Sequence, residues 1–107
     1  MNQPWPPGVA TDKIRNLAAR DMCDLAFTRH AKERMLERGL IIGDVFYLLR
    51  HGYVYEDPEK TSDLNLWKYR MEASTPNSEG RTVRIVVIPD ARKRGALKVV
   101  TVMWVDE

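Results

Sequence analysis

The sequence has one cysteine, two histidines and no long apolar run, and each scarcity excludes a class of protein. Cys23 has no second cysteine with which to form an internal disulfide. A zinc site needs more ligands than Cys23, His30 and His51 offer, so we expect no metal and no cofactor. No segment could cross a bilayer, and residues 1–10, a proline-rich N-terminal arm, lack the cationic start and apolar stretch of a secretory signal. These absences favour a cytoplasmic protein.

Length and composition predict a single globular domain covering residues 1–107. The chain is 44% hydrophobic and 30% charged, which suits one modest core. The net charge is only +2, but residues 81–98 contain six lysines and arginines against one aspartate. We predict that the tip of this basic region, Arg92, Lys93 and Arg94, contacts RNA phosphates. The alternative is a solubilising hairpin turn.

The spacing of apolar residues predicts three helices in the first half of the chain. Thr11 can cap the first helix. The apolar residues after it recur at helical spacing, namely Ile14, Leu17, Ala18, Met22 and Leu25. Residues 25–27 then link to a second helix, which begins after Thr28 and stops at Gly39. A third helix covers about residues 44–51 and stops at Gly52. Trp5, in the arm, is expected to dock on the body of the protein.

After Gly52 the period changes to that of strands, at residues 53–55, 66–73, 82–88 and 97–105. We therefore predict an α+β fold with N-terminal helices packed on one face of a three- to four-stranded antiparallel sheet. We pair Arg70 with Arg84, and Arg84 with Thr101. The helix-covered face then consists of Trp67, Tyr69, Met71, Val83, Ile85, Val87, Val100, Val102 and Trp104. The uncovered face consists of Lys68, Arg70, Glu72, Thr82, Arg84, Val86, Val99, Thr101 and Met103.

Two groups of cations could meet phosphate. On the uncovered face, Arg70 and Arg84 would repel each other unless an anion or Glu72 lies between them, so the face is either a phosphate cradle or a neutralised surface. On the second helix, His30, Arg34 and Arg38 recur every four residues and form a stripe suited to phosphate. The alternative for that helix is local pairing, Arg34 with Glu37 and Arg29 with Glu33.

The order of elements and two sequence patterns resemble the RelE-like superfamily of small bacterial mRNA-cleaving toxins. F-T-R-H-A-K-E-R-M-L-E-R-G-L, followed by V-F-Y-L-L-R-H-G, is similar to the signature of a large uncharacterised prokaryotic family. S-D-L-N-L-W-K-Y-R, G-R-T-V-R-I-V-V-I and V-V-T-V-M-W resemble strands of the motility quorum-sensing regulator type of mRNA interferase. Together the matches cover about residues 25–104. The interferase branch has a glutamine where this chain has Lys68.

The resemblance implies a type II toxin of a toxin–antitoxin system, a metal-independent endoribonuclease that acts on mRNA, free or on the ribosome. It implies a cleavage surface on the sheet with Lys68, Arg70 and Arg84, and a cognate antitoxin that binds DNA. On chemical grounds His30 could transfer a proton near neutral pH, with Arg34 and Arg38 binding RNA beside it. The alternative is a module of the same fold that binds nucleic acid or protein without cleaving anything.

Overall fold

The structure, a computed structural model, describes residues 3–20, 23–90, 92–93 and 95–107. Within these ranges the helices are α1 (Pro7–Ala18), α2 (Arg29–Glu37) and α3 (Ile42–His51). The strands there are β1 (Asp24–Phe27), β2 (Tyr53–Val54), β3 (Glu59–Lys60), β4 (Trp67–Ser74), β5 (Thr82–Asp90) and β6 (Ala96–Trp104). No helix in the described part of the chain is long and apolar enough to span a membrane.

The sheet confirms the α+β class but is larger than the predicted three to four strands. Its described strands number six in the order β1-β6-β5-β4-β2, with β3 pairing β4 beside β2. The pairs of β4, β5 and β6 are antiparallel, whereas β1 runs parallel to β6, with Asp24 opposite Ala96. Residues 25–27, predicted as a link after a longer first helix, are therefore an edge strand. A segment this short forms a strand because it pairs with β6, and its own pattern of apolar residues is too short to predict that.

The helix boundaries follow local signals in the sequence. Thr28 caps α2 as predicted, accepting the Ala31 N–H at 3.0 Å and donating to the Val100 carbonyl at 2.7 Å. Gly39 follows α2 with φ +66°, the left-handed conformation expected of a stop. In contrast, α1 begins at Pro7, inside the predicted arm and ahead of the cap expected at Thr11. Proline suits a first helical turn, whose N–H groups have no intrahelical acceptor.

All three helices pack on one face of the sheet. Their buried contributions are Ala10, Ile14 and Ala18 from α1, Ala31 and Met35 from α2, and Val45, Leu48 and Leu49 from α3. The sheet contributes Tyr69, Met71, Val83, Ile85, Val87, Leu97, Val99 and Val102. Trp67 and Trp104 are partly buried at the margin of this core. The face assignment from strand alternation is therefore confirmed for β4 and β5.

The predicted strand register is wrong by two residues. Arg84 lies opposite Glu72 on β4 and Met103 on β6, whereas Arg70 lies opposite Val86. A shift of two preserves every side chain's face, so the alternation of apolar residues could not detect it. The consequence is chemical, because an arginine–arginine pair is replaced by an arginine–glutamate pair.

A bulge in β6 exchanges two valines between the faces. The register shifts between Val86, opposite Thr101, and Val87, opposite Val99. Val99 is therefore fully buried beneath the helices, and Val100, predicted to be buried, is only half-buried. One extra residue in a strand exchanges the side chains that face inward and outward on one side of the bulge. Strict alternation of apolar residues cannot predict this exchange.

The segment before α1 docks on the body through Trp5, as predicted. Trp5 is 4% exposed, and its ring stacks on Tyr69 at 5.5 Å between centroids. The Trp5 backbone N–H donates to the Tyr69 hydroxyl at 3.0 Å, and that hydroxyl donates to Gln3 Oε1 at 3.0 Å. Burial raises the pKa of Tyr69, so its hydroxyl keeps the proton that it donates.

We expect Tyr69→Phe to lower the free energy of unfolding by about 1–2 kcal/mol, because it leaves the buried Trp5 N–H without an acceptor. Urea denaturation measures the change. Tyr47→Phe is the matched control, since Tyr47 is 41% exposed and its hydroxyl makes no hydrogen bond to a described residue. Equal stability of the two variants would contradict docking through this hydroxyl.

Candidate functional site

A polar row crosses the uncovered face of the sheet at its centre. The register places Tyr53 of β2, Glu72 of β4, Arg84 of β5 and Met103 of β6 side by side. The next row along the strands contains Arg70, Val86 and Thr101. This face therefore presents a carboxylate and two guanidiniums on neighbouring strands, with apolar side chains between them.

The centre of the row is an ion pair between Glu72 and Arg84. Arg84 Nε donates to Glu72 Oε2 at 2.9 Å, and the side chains are 25% and 15% exposed for Arg84 and Glu72. A charge-assisted hydrogen bond between half-buried partners is stronger than a solvated surface pair. The pair can both hold an anion, through the guanidinium, and accept a proton, through the carboxylate.

The other predicted cations of this face, Arg70 and Lys68, lie beside the pair. Arg70 contacts Glu59, and its Nη1 is 3.9 Å from Glu56 Oε2. Lys68 lies opposite Glu59 where β3 pairs with β4. Arg70 stabilises the charged form of Glu59 and lowers the pKa of that carboxyl. The structure thus brings Lys68, Arg70 and Arg84 to one face, as predicted, but gives each arginine a carboxylate partner.

On α2 the local pairing alternative is the one observed. Arg29 Nε is 3.2 Å from Glu33 Oε1, and Arg34 Nη1 is 2.6 Å from Glu37 Oε2. Arg38 bonds both carboxylate oxygens of Glu107, with Nε to Oε1 at 3.0 Å. The Arg38 hydrogen bonds lower the pKa of the Glu107 carboxyl. Arg38 therefore fastens α2 to the segment after β6.

His30 belongs to α2, a helix of the covered face, and not to the face that carries Arg70 and Arg84. It is exposed in the first turn of α2, whose cap Thr28 bonds β6, and β5 separates β6 from Arg70 on β4. α2 packs through Ala31 and Met35 on the covered face of the sheet, whereas the predicted cations Lys68, Arg70 and Arg84 lie on the uncovered face. The role of His30 as a proton-transfer group beside them stays a prediction.

The hairpin tip between β5 and β6 is a third, separate location. Arg92 contacts Asp90 at 3.0 Å and Asp63 at 3.2 Å, while Lys93 is exposed and makes no ion pair with a described residue. Arg94 lies outside the described residues. From Arg84 to Asp90 the strand β5 extends about 20 Å, and Arg92 lies in the turn beyond its end. The basic region predicted from composition is thus divided between the sheet face and its end.

The sequence placed Glu72 on this face as a partner that both arginines could share, whereas in the structure Glu72 pairs with Arg84. The sequence did not identify Tyr53, which lies opposite Glu72 on β2. The alternating pattern placed Glu72 on the correct face, but its contact depends on the register. Among the described residues, no group of three His, Cys, Asp or Glu side chains could hold a metal ion.

An apolar groove lies beside the edge strand β1, away from the polar row. It has a volume of about 590 Å³ and is lined by Phe27, Met35 and Leu40 together with more exposed side chains. Among these, Leu36 is 84% exposed, Ile41 58% and Ile42 56%. Exposed apolar side chains clustered in this way are typical of protein contact surfaces.

Comparison with known families matches residues 27–104 to a domain of unknown function, DUF4258. The match begins in β1 and ends with β6, so it includes the polar row and α2 but excludes α1 and Trp5. Searches of curated proteins and of solved structures returned no significant match. Because the matched residues make up well over half of the chain, the protein belongs to the DUF4258 family.

Proposed function

We propose that this protein is a metal-independent endoribonuclease of the RelE-like toxin type that cleaves mRNA at the uncovered face of the sheet. The observation that carries the proposal is the Glu72–Arg84 pair, with 2.9 Å between Oε2 and Nε, on a face that none of the described helices covers. Arg70 and Lys68 supply further positive charge beside it. In RNA transesterification a carboxylate can accept the proton of the attacking hydroxyl, and a guanidinium can stabilise the negative charge on the reacting phosphate.

The proposed reaction uses the 2′-hydroxyl of the RNA as nucleophile. An arriving phosphate competes with Glu72 for the Arg84 guanidinium, which frees the carboxylate to accept the 2′-hydroxyl proton. The 2′-oxygen forms a bond to phosphorus and the bond from phosphorus to the 5′-oxygen breaks. The 5′-oxygen takes a proton from water, and the hydroxide that remains takes back the proton held by Glu72. The products are a 2′,3′-cyclic phosphate and a 5′-hydroxyl. Arg84 stabilises the negative charge that builds up on the phosphorane.

Arg70 and Lys68 bind the flanking phosphates in this scheme. Both lie on β4, two and four residues before Glu72, so their side chains emerge on the same face at intervals of about 7 Å. In the free protein Arg70 is paired with Glu59 and Glu56, and Lys68 lies opposite Glu59 in the β3–β4 pairing. Exchange of these carboxylates for phosphates keeps the cations paired when RNA is present.

We further propose that the protein is cytoplasmic and is controlled by a cognate antitoxin that binds DNA. The apolar groove beside β1 supports a protein partner, because Leu36, Ile41 and Ile42 are exposed there. In the strand order this groove lies at the β1 edge of the sheet, so an antitoxin that is anchored there blocks the polar row by extending across β6.

Expression without an antitoxin, followed by RNA analysis, tests the proposal. We expect wild-type protein to arrest growth and fragment cellular RNA, and purified protein to cut RNA equally well with and without EDTA. The termini of the fragments should be a 2′,3′-cyclic phosphate and a 5′-hydroxyl. RNA that is bound by the purified protein but stays intact would favour the alternative, a non-catalytic module that binds nucleic acid.

A further inference from the structure

A second pocket lies between α1 and the β5–β6 hairpin, on the helix-covered side of the sheet. Its volume is about 520 Å³, within the range of small-molecule sites. Its lining includes Lys13 and Arg20 from the α1 region and Arg92 and Lys93 from the hairpin, against one carboxylate, Asp90. From Arg84 to Asp90 the chain extends about 20 Å, so this pocket is distinct from the polar row.

The cations of this pocket are not all neutralised within the described structure. Arg92 is paired with Asp90 and Asp63, but Lys13, Arg20 and Lys93 make no ion pair with a described residue. Two separate elements thus direct positive charge into one concave space. Convergent lysine and arginine side chains in a pocket favour a ligand with a localised double negative charge, such as a phosphate monoester.

The remaining lining points to a ligand larger than phosphate. Trp5, Leu17 and Pro89 supply apolar surface, and Asn16 supplies an amide that can donate and accept. The indole Nε1–H of Trp5 is buried and has no hydrogen-bond partner among the described residues. Because this nitrogen has no accessible surface in the open pocket, Trp5 offers a ligand the edge of its ring and not a hydrogen-bond donor.

We propose that this pocket binds a nucleoside monophosphate. Lys13, Arg20 and Lys93 hold the phosphate, and the surface formed by Trp5, Leu17 and Asn16 receives the nucleoside. The site combines the hairpin, which belongs to the matched family region, with α1, which precedes it. It requires no cleavage of RNA and is independent of the proposed endoribonuclease activity.

Calorimetric titration of the full chain with AMP, inorganic phosphate and adenosine tests the proposal. AMP should bind at least about tenfold more tightly than either fragment, since it alone satisfies both halves of the pocket. In a two-dimensional NMR spectrum, AMP should shift the indole N–H signal of Trp5, identified by its loss in Trp5→Phe. Binding of AMP no tighter than that of phosphate would overturn the assignment to a nucleotide.

A charge-matched pair of double variants tests the location. Lys13→Ala with Lys93→Ala should weaken AMP binding by at least about tenfold. Lys60→Ala with Lys98→Ala removes the same charge from exposed positions outside the pocket and should leave AMP affinity unchanged. Equal weakening by both pairs, or none by the first, would overturn the proposal. Thermal melts of both variants confirm that each remains folded.

Discussion

Arg84→Ala is expected to reduce RNA cleavage by about 100- to 1000-fold, the cost of removing one preorganised donor to a developing negative charge. The same substitution should abolish growth arrest on expression. Glu72→Gln should cause a loss of at least about 100-fold, because the amide keeps the shape of the side chain but cannot accept the 2′-hydroxyl proton. Single-turnover cleavage of a labelled RNA measures both effects.

The control for Arg84→Ala is Arg81→Ala, at the residue just before β5 begins. Arg81 also has a carboxylate partner, Asp106 at 2.8 Å, and it stacks on Trp104 with its Cζ 4.1 Å from the ring centroid. Its removal deletes an equal charge and a more exposed ion pair outside the polar row, so cleavage should be unchanged. If Arg84→Ala cleaves RNA as fast as wild type, the assignment of the active site to Glu72 and Arg84 is wrong, even if the protein is a nuclease.

Arg84→Ala also leaves Glu72 without its partner, so stability must be measured beside activity. The double variant Glu72→Ala with Arg84→Ala removes both charges and should recover any stability lost through an unpaired carboxylate. Activity should not recover with it. A double variant that regains both would mean that the single substitution acted through folding.

The sequence predicted those parts of the fold that depend on local signals. α2 starts after Thr28, whose side chain caps the helix, and it stops at Gly39, which adopts the left-handed conformation. Each of these signals depends on a single residue and can be read from the sequence. The covered face of β4 rests on strict alternation through Tyr69 and Met71. Conversely, β1 exists because β6 offers a free edge at residues 96–99, and no property of residues 24–27 alone shows that.

For the candidate site, the sequence identified the face but not the partners. Lys68, Arg70 and Arg84 share a face because they occupy alternate strand positions, which any even register preserves. Whether Arg84 meets Arg70 or Glu72 depends on a shift of two residues, which the turn at residues 75–80 decides. His30, Arg34 and Arg38 share a helix stripe, but only the packing of α2 places that stripe by β6 and Glu107.

That turn is held in place by Asp44, a buried carboxylate that the sequence pattern did not single out. Asp44 is 2% exposed, and its Oδ2 accepts the Ile41 N–H at 2.9 Å, closing the first turn of α3. Its Oδ1 accepts the Asn77 backbone N–H at 3.0 Å. Asp44 therefore fixes both the start of α3 and the loop that sets the β4–β5 register on which the Glu72–Arg84 contact depends.

Asp44→Asn should lower the free energy of unfolding by about 2–3 kcal/mol at neutral pH, because hydrogen bonds to a charged acceptor contribute about 1.5–3 kcal/mol each and an amide replaces one acceptor by a donor. Urea denaturation measures the loss. The exposed Asp57 provides the control, and Asp57→Asn should change stability by less than about 0.5 kcal/mol. Similar losses in the two variants would show that Asp44 has no special role.

The stability difference between wild type and Asp44→Asn should itself depend on pH. Burial raises the pKa of Asp44, but the N–H groups of Ile41 and Asn77 outweigh it and hold the pKa below its ordinary value. A depressed folded pKa contributes stability that is fully present above the unfolded value of about 3.9 and is lost as pH falls through the folded value. The difference should therefore be largest at neutral pH and shrink in acid, where wild-type Asp44 is protonated too. Since the other carboxylates titrate alike in both proteins, a difference that stays constant into acid would mean that the stabilising hydrogen bonds do not require the charge of Asp44.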